Sequence, residues 1–247
     1  GKPRQAQWRH IMRIIAVTSQ KGGSGKTTLS GHLAVEAERA GAGPVALIDT
    51  DPQGSLSEWW NEREATAPAF AHTAIGSLEQ DLNQLREQGF RLAIIDTPPA
   101  ITRSIQAVVS RADLVIIPTR PSPHDLRAAG ATVDLVERAG KPLMFVVNGA
   151  TARARLTGEA AIALSQHGTV APTVVHNRQD FAASMIDGRT VMEAATGGKS
   201  HQEITELWTY VADRIARLPL KATFKTVAAG RSPFGNRPSF GNVQHIS

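Results

Sequence analysis

The stretch Arg13-Ile14-Ile15-Ala16-Val17-Thr18-Ser19-Gln20-Lys21-Gly22-Gly23-Ser24-Gly25-Lys26-Thr27-Thr28 decides the fold. A short apolar run feeds a glycine-rich turn, and a helix-period segment begins at about residue 27. Strand, loop and helix in that order are the context of a phosphate-binding loop. Glycines let the backbone curl until successive N–H groups face one anion, and the helix N-terminus adds its positive end. In this reading Gly22, Gly23, Ser24 and Gly25 form the cradle, Lys26 reaches the β and γ phosphates, Thr27 holds Mg²⁺ and Thr28 contacts the α phosphate. A glycine-rich turn without a ligand is the competing interpretation, and Gly-Lys-Thr-Thr at the start of a helix argues against it.

Outward from the loop, apolar runs recur at 14–17, 45–48, 92–95, 114–117 and 144–147, short and rich in Ile and Val. Strands buried on both faces of a parallel sheet read this way. Helix-period stretches lie between and after them, at about 27–40, 54–64, 77–88, 101–110, 124–139, 156–167, 179–187 and 201–218. The alternation predicts an α/β fold, a doubly wound and mostly parallel sheet with helices on both faces. Residues 12–219 would form this domain. Residues 1–11 precede it as a flexible lead or an expression remnant, and 220–247 carry scattered Gly, Pro, Ser and Asn without periodicity, the pattern of a disordered tail.

Composition narrows the chemistry. The 247 residues include no cysteine, which removes disulfide scaffolds, thiolate metal sites and cysteine nucleophiles together. The eight histidines show no metal-ligand spacing, so a protein-ligated transition metal is not expected. No apolar stretch approaches the roughly 20 residues that span a bilayer, and no signal-peptide pattern is present, so the expected location is cytoplasmic. Net charge is +5, with +3 in residues 1–11 and +4 in residues 220–247; subtracting both leaves −2 for residues 12–219. Such basic ends either solubilise the chain or reach for nucleic-acid or membrane phosphates.

Position 20, where the usual loop motif has its first glycine, is Gln20, and Lys21 follows. Lys21-Gly22-Gly23-Ser24-Gly25-Lys26-Thr27-Thr28 resembles the deviant Walker A motif of the ParA/MinD superfamily. The resemblance implies P-loop ATPase chemistry with ATP and Mg²⁺, and a homodimer in which Lys21 crosses to the partner subunit's nucleotide. Asp49-Thr50-Asp51-Pro52-Gln53 ends the second apolar run, with two acids facing the same way at the carboxyl end of the sheet. By the resemblance Asp51 positions the attacking water, making Lys21, Lys26 and Asp51 the catalytic set, and Asp49 sits nearer the metal. Asp96, ending 92–95 before Thr97-Pro98-Pro99, reads as a Walker B carboxylate for Mg²⁺. An acid there would also serve as a helix cap, and three acids converging on one loop favour the metal. Asn148 lies where the family contacts adenine, with Arg178 or Asn177 close by.

The resemblance covers about residues 12–218 and is strongest to small partition ATPases of ParF type, through Ser55-Leu56-Ser57-Glu58-Trp59, Pro121-Ser122-Pro123-His124-Asp125 and Ile186-Asp187-Gly188-Arg189-Thr190-Val191. About 20 residues precede Lys21, too few for the helix-turn-helix domain of larger partition ATPases, so operator binding is not expected. Such proteins bind nonspecific DNA as ATP dimers and release it when a ParB-like or other adaptor stimulates slow hydrolysis. The implied function is segregation or positioning of DNA or a large cargo, in association with the nucleoid. Basic candidates for DNA are Arg178, Arg189, Lys199 and Arg214, with Lys221 and Lys225 beyond; each alone would serve as well as a solvated charge. The rival is a MinD-like membrane or scaffold switch. Its amphipathic C-terminal helix is not expected here, because Gly230, Pro233, Gly235 and Pro238 interrupt the tail, and no stable membrane insertion is expected. Trp59 and Trp60 are adjacent on a helix and face different ways, so one is expected in the core and one near the surface.

Overall fold

The computed structural model describes residues 11–19, 25–99, 102–151 and 154–219. Lys21, Gly22, Gly23, Ser24, Lys221, Lys225, residues 1–10 of the lead and the whole of the tail lie outside these residues. The chain divides into two units, Gly1–Ala216 and Arg217–Ser247, and only Arg217–Pro219 of the second are described.

Strand β1 (Arg13–Val17) lies between β4 (Leu92–Asp96) and β5 (Leu114–Thr119). Strands β2 (Val45–Asp49) and β3 (Ala69–His72) extend the sheet beyond β4, and β6 (Leu143–Ala150) and β7 (Thr169–Val170) extend it beyond β5. The order is β3-β2-β4-β1-β5-β6-β7, with β8 (Val175–His176) pairing with the end of β6, and every pairing is parallel.

The helices are α1 (Lys26–Arg39), α2 (Ser55–Asn61), α3 (Leu78–Glu87), α4 (Thr102–Val109), α5 (Pro123–Arg138), α6 (Ala154–Ser165), α7 (Gln179–Met185), α8 (Val191–Ala194) and α9 (Lys199–Ala216). They cover both faces of the sheet. Ile14, Ala16, Ala93, Ile95, Val115, Ile117, Phe145 and Val147 point to one face and form a single core with residues of α3, α4, α5 and α6. Their neighbours Ile15, Leu47, Ile94, Ile116 and Met144 are equally buried on the other, where α1 packs on β2, β4 and α9. Burial on both sides is why these strands read as continuous apolar runs rather than alternating ones. No described helix is long and apolar enough to cross a membrane.

Four small elements depart from the sequence reading: β3, β7, β8 and α8. Ala69–His72 has one large apolar residue, two of the strands are two residues long, and α8 is four residues, so none generates a period. Helix α2 also stops at Asn61 instead of continuing to residue 64, and Arg63 turns inward there. Trp59 is buried and Trp60 half-buried, their indole N–H groups donating to the Arg189 and Pro68 carbonyls.

Candidate functional site

Parallel register sets the site at the carboxyl ends of the central strands. Asp49 of β2 pairs with Asp96 of β4, which pairs in turn with Val17 of β1, so two carboxylates stand side by side where β1 leaves the sheet for residues 20–24. Gly25 caps α1 in the left-handed region, φ +79°, and the Leu29 amide already donates to its carbonyl. One turn of α1 then places Lys26, Thr27 and Ser30 against β4. Lys26 Nζ donates to Asp96 Oδ1 at 2.9 Å, Thr27 Oγ1 to Asp96 Oδ2 at 3.1 Å and Ser30 Oγ to Asp96 Oδ1 at 3.3 Å.

The sequence places Lys26 on phosphates, whereas its ammonium here lies on Asp96. Both side chains are almost fully buried, and a buried ammonium needs an anionic partner. A phosphate at the loop supplies a competing anion of higher charge. Ser30 was missed by sequence reading, although its position four residues after Lys26 puts it on the same helical face.

Burial raises the Asp96 carboxyl above its usual range, and the Lys26 charge and the Lys26, Thr27 and Ser30 hydrogen bonds pull it partly back. Asp49 is raised as well, first by burial, with the Asp51 amide bond opposing and the neighbouring Asp96 charge adding to it. Asp49 Oδ1 accepts the Asp51 amide at 2.9 Å, while Oδ2 is buried without a hydrogen-bond partner. An orphaned carboxylate oxygen beside a second carboxylate and a threonine hydroxyl is an all-oxygen donor set, which suits Mg²⁺ directly or through water. Thr27, Asp49 and Asp96 therefore fit the metal. Asp51 is half-buried; its Oδ1 accepts the Gln53 amide at 2.9 Å and its carbonyl bonds His72 Nε2 at 2.8 Å, which ties the start of the turn to β3.

A cleft of about 350 Å³ opens from Gly25 and Thr28 on α1 to Asn148, Asn177 and Arg178. The β6–β8 register shifts at Asn148, and Gly149 follows with φ +69°, which brings the Asn148 amide against Gly25. A Cβ at Gly25 would overlap that amide. Arg178 Nη1 and His176 Nδ1 each lie 2.6 Å from an oxygen of Glu203 on α9, so one carboxylate ties this wall of the cleft together. His32 lines the cleft fully buried; Nδ1 donates to the Thr28 carbonyl at 2.8 Å and Nε2 accepts the Val191 amide at 3.2 Å. Burial lowers its pKa from 6.5 to about 4, against the opposing Thr28 bond and the Glu193 and Asp180 charges. His32, Phe181, His176 and Glu203 carried no sequence signal, because they meet only through tertiary packing.

The basic residues gathered by sequence do not form one described patch. Arg178 turns to Glu203, and exposed Arg189 pairs with Asp187 at 2.8 Å. Lys199 and Arg214 sit at opposite ends of α9, about 22 Å apart at 1.5 Å per residue. Between them the exposed positions of α9 include Glu206 and Asp213.

A model of the CobQ/CobB/MinD/ParA nucleotide binding domain matches residues 15–191. The chain is 42% identical over 132 residues to the maintenance of carboxysome distribution protein A of Gloeobacter kilaueensis, a match covering 53% of this chain and 58% of that protein. It is 29% identical over 196 residues to the protein of the same name from Halothiobacillus neapolitanus, covering 75% and 89%. The septum site-determining protein MinD of Pyrococcus horikoshii, solved with Mg-ADP, superposes with TM-score 0.70 at 18% identity over 84% of this chain and 98% of that one, a likeness of fold. With the loop helix, the paired carboxylates and the cleft arranged as above, the chain belongs to the CobQ/CobB/MinD/ParA nucleotide-binding family.

Proposed function

We propose that this chain is an ATP-dependent, dimerising ATPase of the ParA type that positions or partitions a large cargo. The observation that carries the reading is Asp96, bonded at once by Lys26, Thr27 and Ser30 and set in register beside Asp49. Phosphoryl transfer to water asks little covalent chemistry of a protein, chiefly placed charge and a placed water. Thr27, Asp49 and Asp96 would hold Mg²⁺, which would neutralise charge on the phosphates. Lys26 exchanges Asp96 for the β and γ phosphates, Thr28 takes the α phosphate, Gly22 to Gly25 wrap the anion, and Asp51 orients the attacking water. Asn148 and Arg178 hold the base in the cleft, and Lys21 serves the partner subunit's phosphates.

Two relatives are named for the maintenance of carboxysome distribution, which supports a positioning role. A sequence pI of about 10.0 supports nonspecific DNA as the surface on which the dimer acts, near the nucleoid, with a separate adaptor stimulating slow turnover.

The test pairs two variants. Asp51→Ala is expected to bind Mg-ATP and dimerise but lose turnover by about 100-fold or more, since placed acid–base groups contribute that order. Lys21→Ala is expected to bind ATP as a monomer and to fail at both ATP-dimerisation and hydrolysis. Light scattering and phosphate release read both; normal dimers and turnover in each variant would remove the mechanism. Co-sedimentation with DNA or with anionic liposomes, under ATP and ADP, separates the DNA reading from a membrane switch.

A further inference from the structure

Helix α2 begins four residues after Asp51, is seven residues long and buries only Leu56 and Trp59. A helix this short has little stability of its own, so the orientation of the Asp51 turn depends on what holds α2. Residues 187–194, distant in sequence, do so from one side. Trp59 Nε1 donates to the Arg189 carbonyl at 2.9 Å, and its ring lies against Gly31 of α1, which has no side chain to hold it off. Gly188, with φ +79°, comes so close to Glu62 and Arg63 that a Cβ would overlap their backbone.

Arg63 follows α2, and its side chain is 3% exposed beneath this segment. All five of its N–H donors are used. Nη1 donates to the Gly188 carbonyl at 2.9 Å and Glu193 Oε1 at 2.8 Å, Nη2 to Glu193 Oε2 at 2.9 Å and the Ala67 carbonyl at 3.1 Å, and Nε to the Ala67 carbonyl at 3.2 Å. Glu193 Oε1 also accepts the Thr190 amide and hydroxyl. Burial would raise the Glu193 carboxyl, yet the Arg63 and Thr190 bonds outweigh it and hold it below its usual value. The same segment reaches α1 through the Val191 amide on His32 Nε2, and His32 Nδ1 holds the Thr28 carbonyl.

We propose that residues 187–194 are a strap that fastens α2, and with it the Asp51 turn, to the phosphate-loop helix, with Arg63 and Glu193 as positioning residues for hydrolysis. Neither residue touches the reacting atoms. They hold Asp51 at a fixed distance from the loop that carries the phosphates, which matters because small misplacements of a water-orienting group slow the reaction steeply. The bidentate fork is the part a lysine cannot reproduce. This inference rests on the role given to Asp51 above.

Hydrogen–deuterium exchange and steady-state kinetics on the full chain test it, comparing wild type with Glu193→Gln, with and without Mg-ATP. The strap predicts exchange over residues 51–62 about tenfold faster in Glu193→Gln in both conditions, with residues 26–39 unchanged within about twofold. It also predicts kcat lowered about tenfold at a KM for ATP within about threefold. Unchanged exchange over 51–62, faster exchange throughout the chain, unchanged kcat, or a KM raised in step with the loss of kcat would each overturn it. If Glu193→Gln does not fold, Trp59→Phe, which removes the bond to the Arg189 carbonyl and shortens the ring packed on Gly31, takes its place with the same pattern. If wild type neither binds nor hydrolyses ATP, the proposed function fails, and the exchange difference without ATP still decides whether the strap holds α2.

Discussion

Lys26 and Asp96 form an ion pair in a dry place, with side-chain exposures of 8% and 2%. Removing Lys26 alone leaves a buried carboxylate uncompensated, at a cost of about 3–5 kcal/mol. That cost carries a pH signature. Asp96 already titrates above the 3.8 of an unfolded aspartate, so the folded state holds its proton more tightly and loses stability as pH rises from about 4 through the raised value. Lys26→Ala raises that value further. The stability gap between wild type and variant is therefore expected to shrink toward pH 4 and widen toward pH 7, read by chemical denaturation, and nucleotide titration at neutral pH should show tight binding lost. His32 has the opposite slope. Its folded pKa of about 4 lies below the unfolded 6.5, so stability is full above 6.5 and falls by about 3 kcal/mol as pH drops to 4. His32→Gln should lack this acid slope; a variant as acid-sensitive as wild type in that window would move the effect to another residue.

At the scale of elements, the junction between the loop and α1 carries a constraint that is visible only in three dimensions. Gly25 is left-handed and touches the Asn148 amide. Gly25→Ala is expected to cost about 1–2 kcal/mol for backbone conformation alone, and to weaken nucleotide binding about tenfold or more by pushing Asn148 aside. Adding Asn148→Ala should relieve the overlap and return part of the stability but not the backbone part, a difference a double-mutant cycle isolates. The glycine was legible in sequence as part of a phosphate cradle; its contact with Asn148, 123 positions away, was not. The same division runs through the molecule. Five central strands and eight helices announced themselves, because burial on both faces and amphipathic periods write directly into residue order. Strands β3, β7 and β8 and the short α8 did not, since two to four residues held by neighbours need no pattern of their own. The acids Asp49 and Asp96 were legible as strand ends, and their adjacency came from parallel register. The wall of His176, Arg178 and Glu203 depends on α9 returning to the end of β6, which no local spacing encodes.

For the whole molecule, positive charge is concentrated in the sequence outside residues 12–219. Residues 12–219 sum to −2, while residues 220–247 hold Lys221, Lys225, Arg231 and Arg237 with no acid. Within the described body the basic candidates are dispersed, and two of the four are engaged by carboxylates. If nonspecific DNA is the surface on which the dimer acts, the C-terminal charges are the better-concentrated source of phosphate contacts. Neutralising all four by Gln in the full chain touches none of the nucleotide motifs, so hydrolysis without DNA is expected to stay within about twofold of wild type. Each duplex phosphate contact contributes about 0.9 to the slope of log affinity against log salt. Losing four contacts should therefore lower the slope for the ATP-bound protein by about 3 to 4. Neutralising Arg189, Lys199 and Arg214 instead should leave it nearly unchanged, since separated charges do not follow one groove. Fluorescence anisotropy across a salt series distinguishes the two. A slope unmoved by the C-terminal variant but reduced by the Arg189, Lys199 and Arg214 variant would place the DNA surface on the folded body.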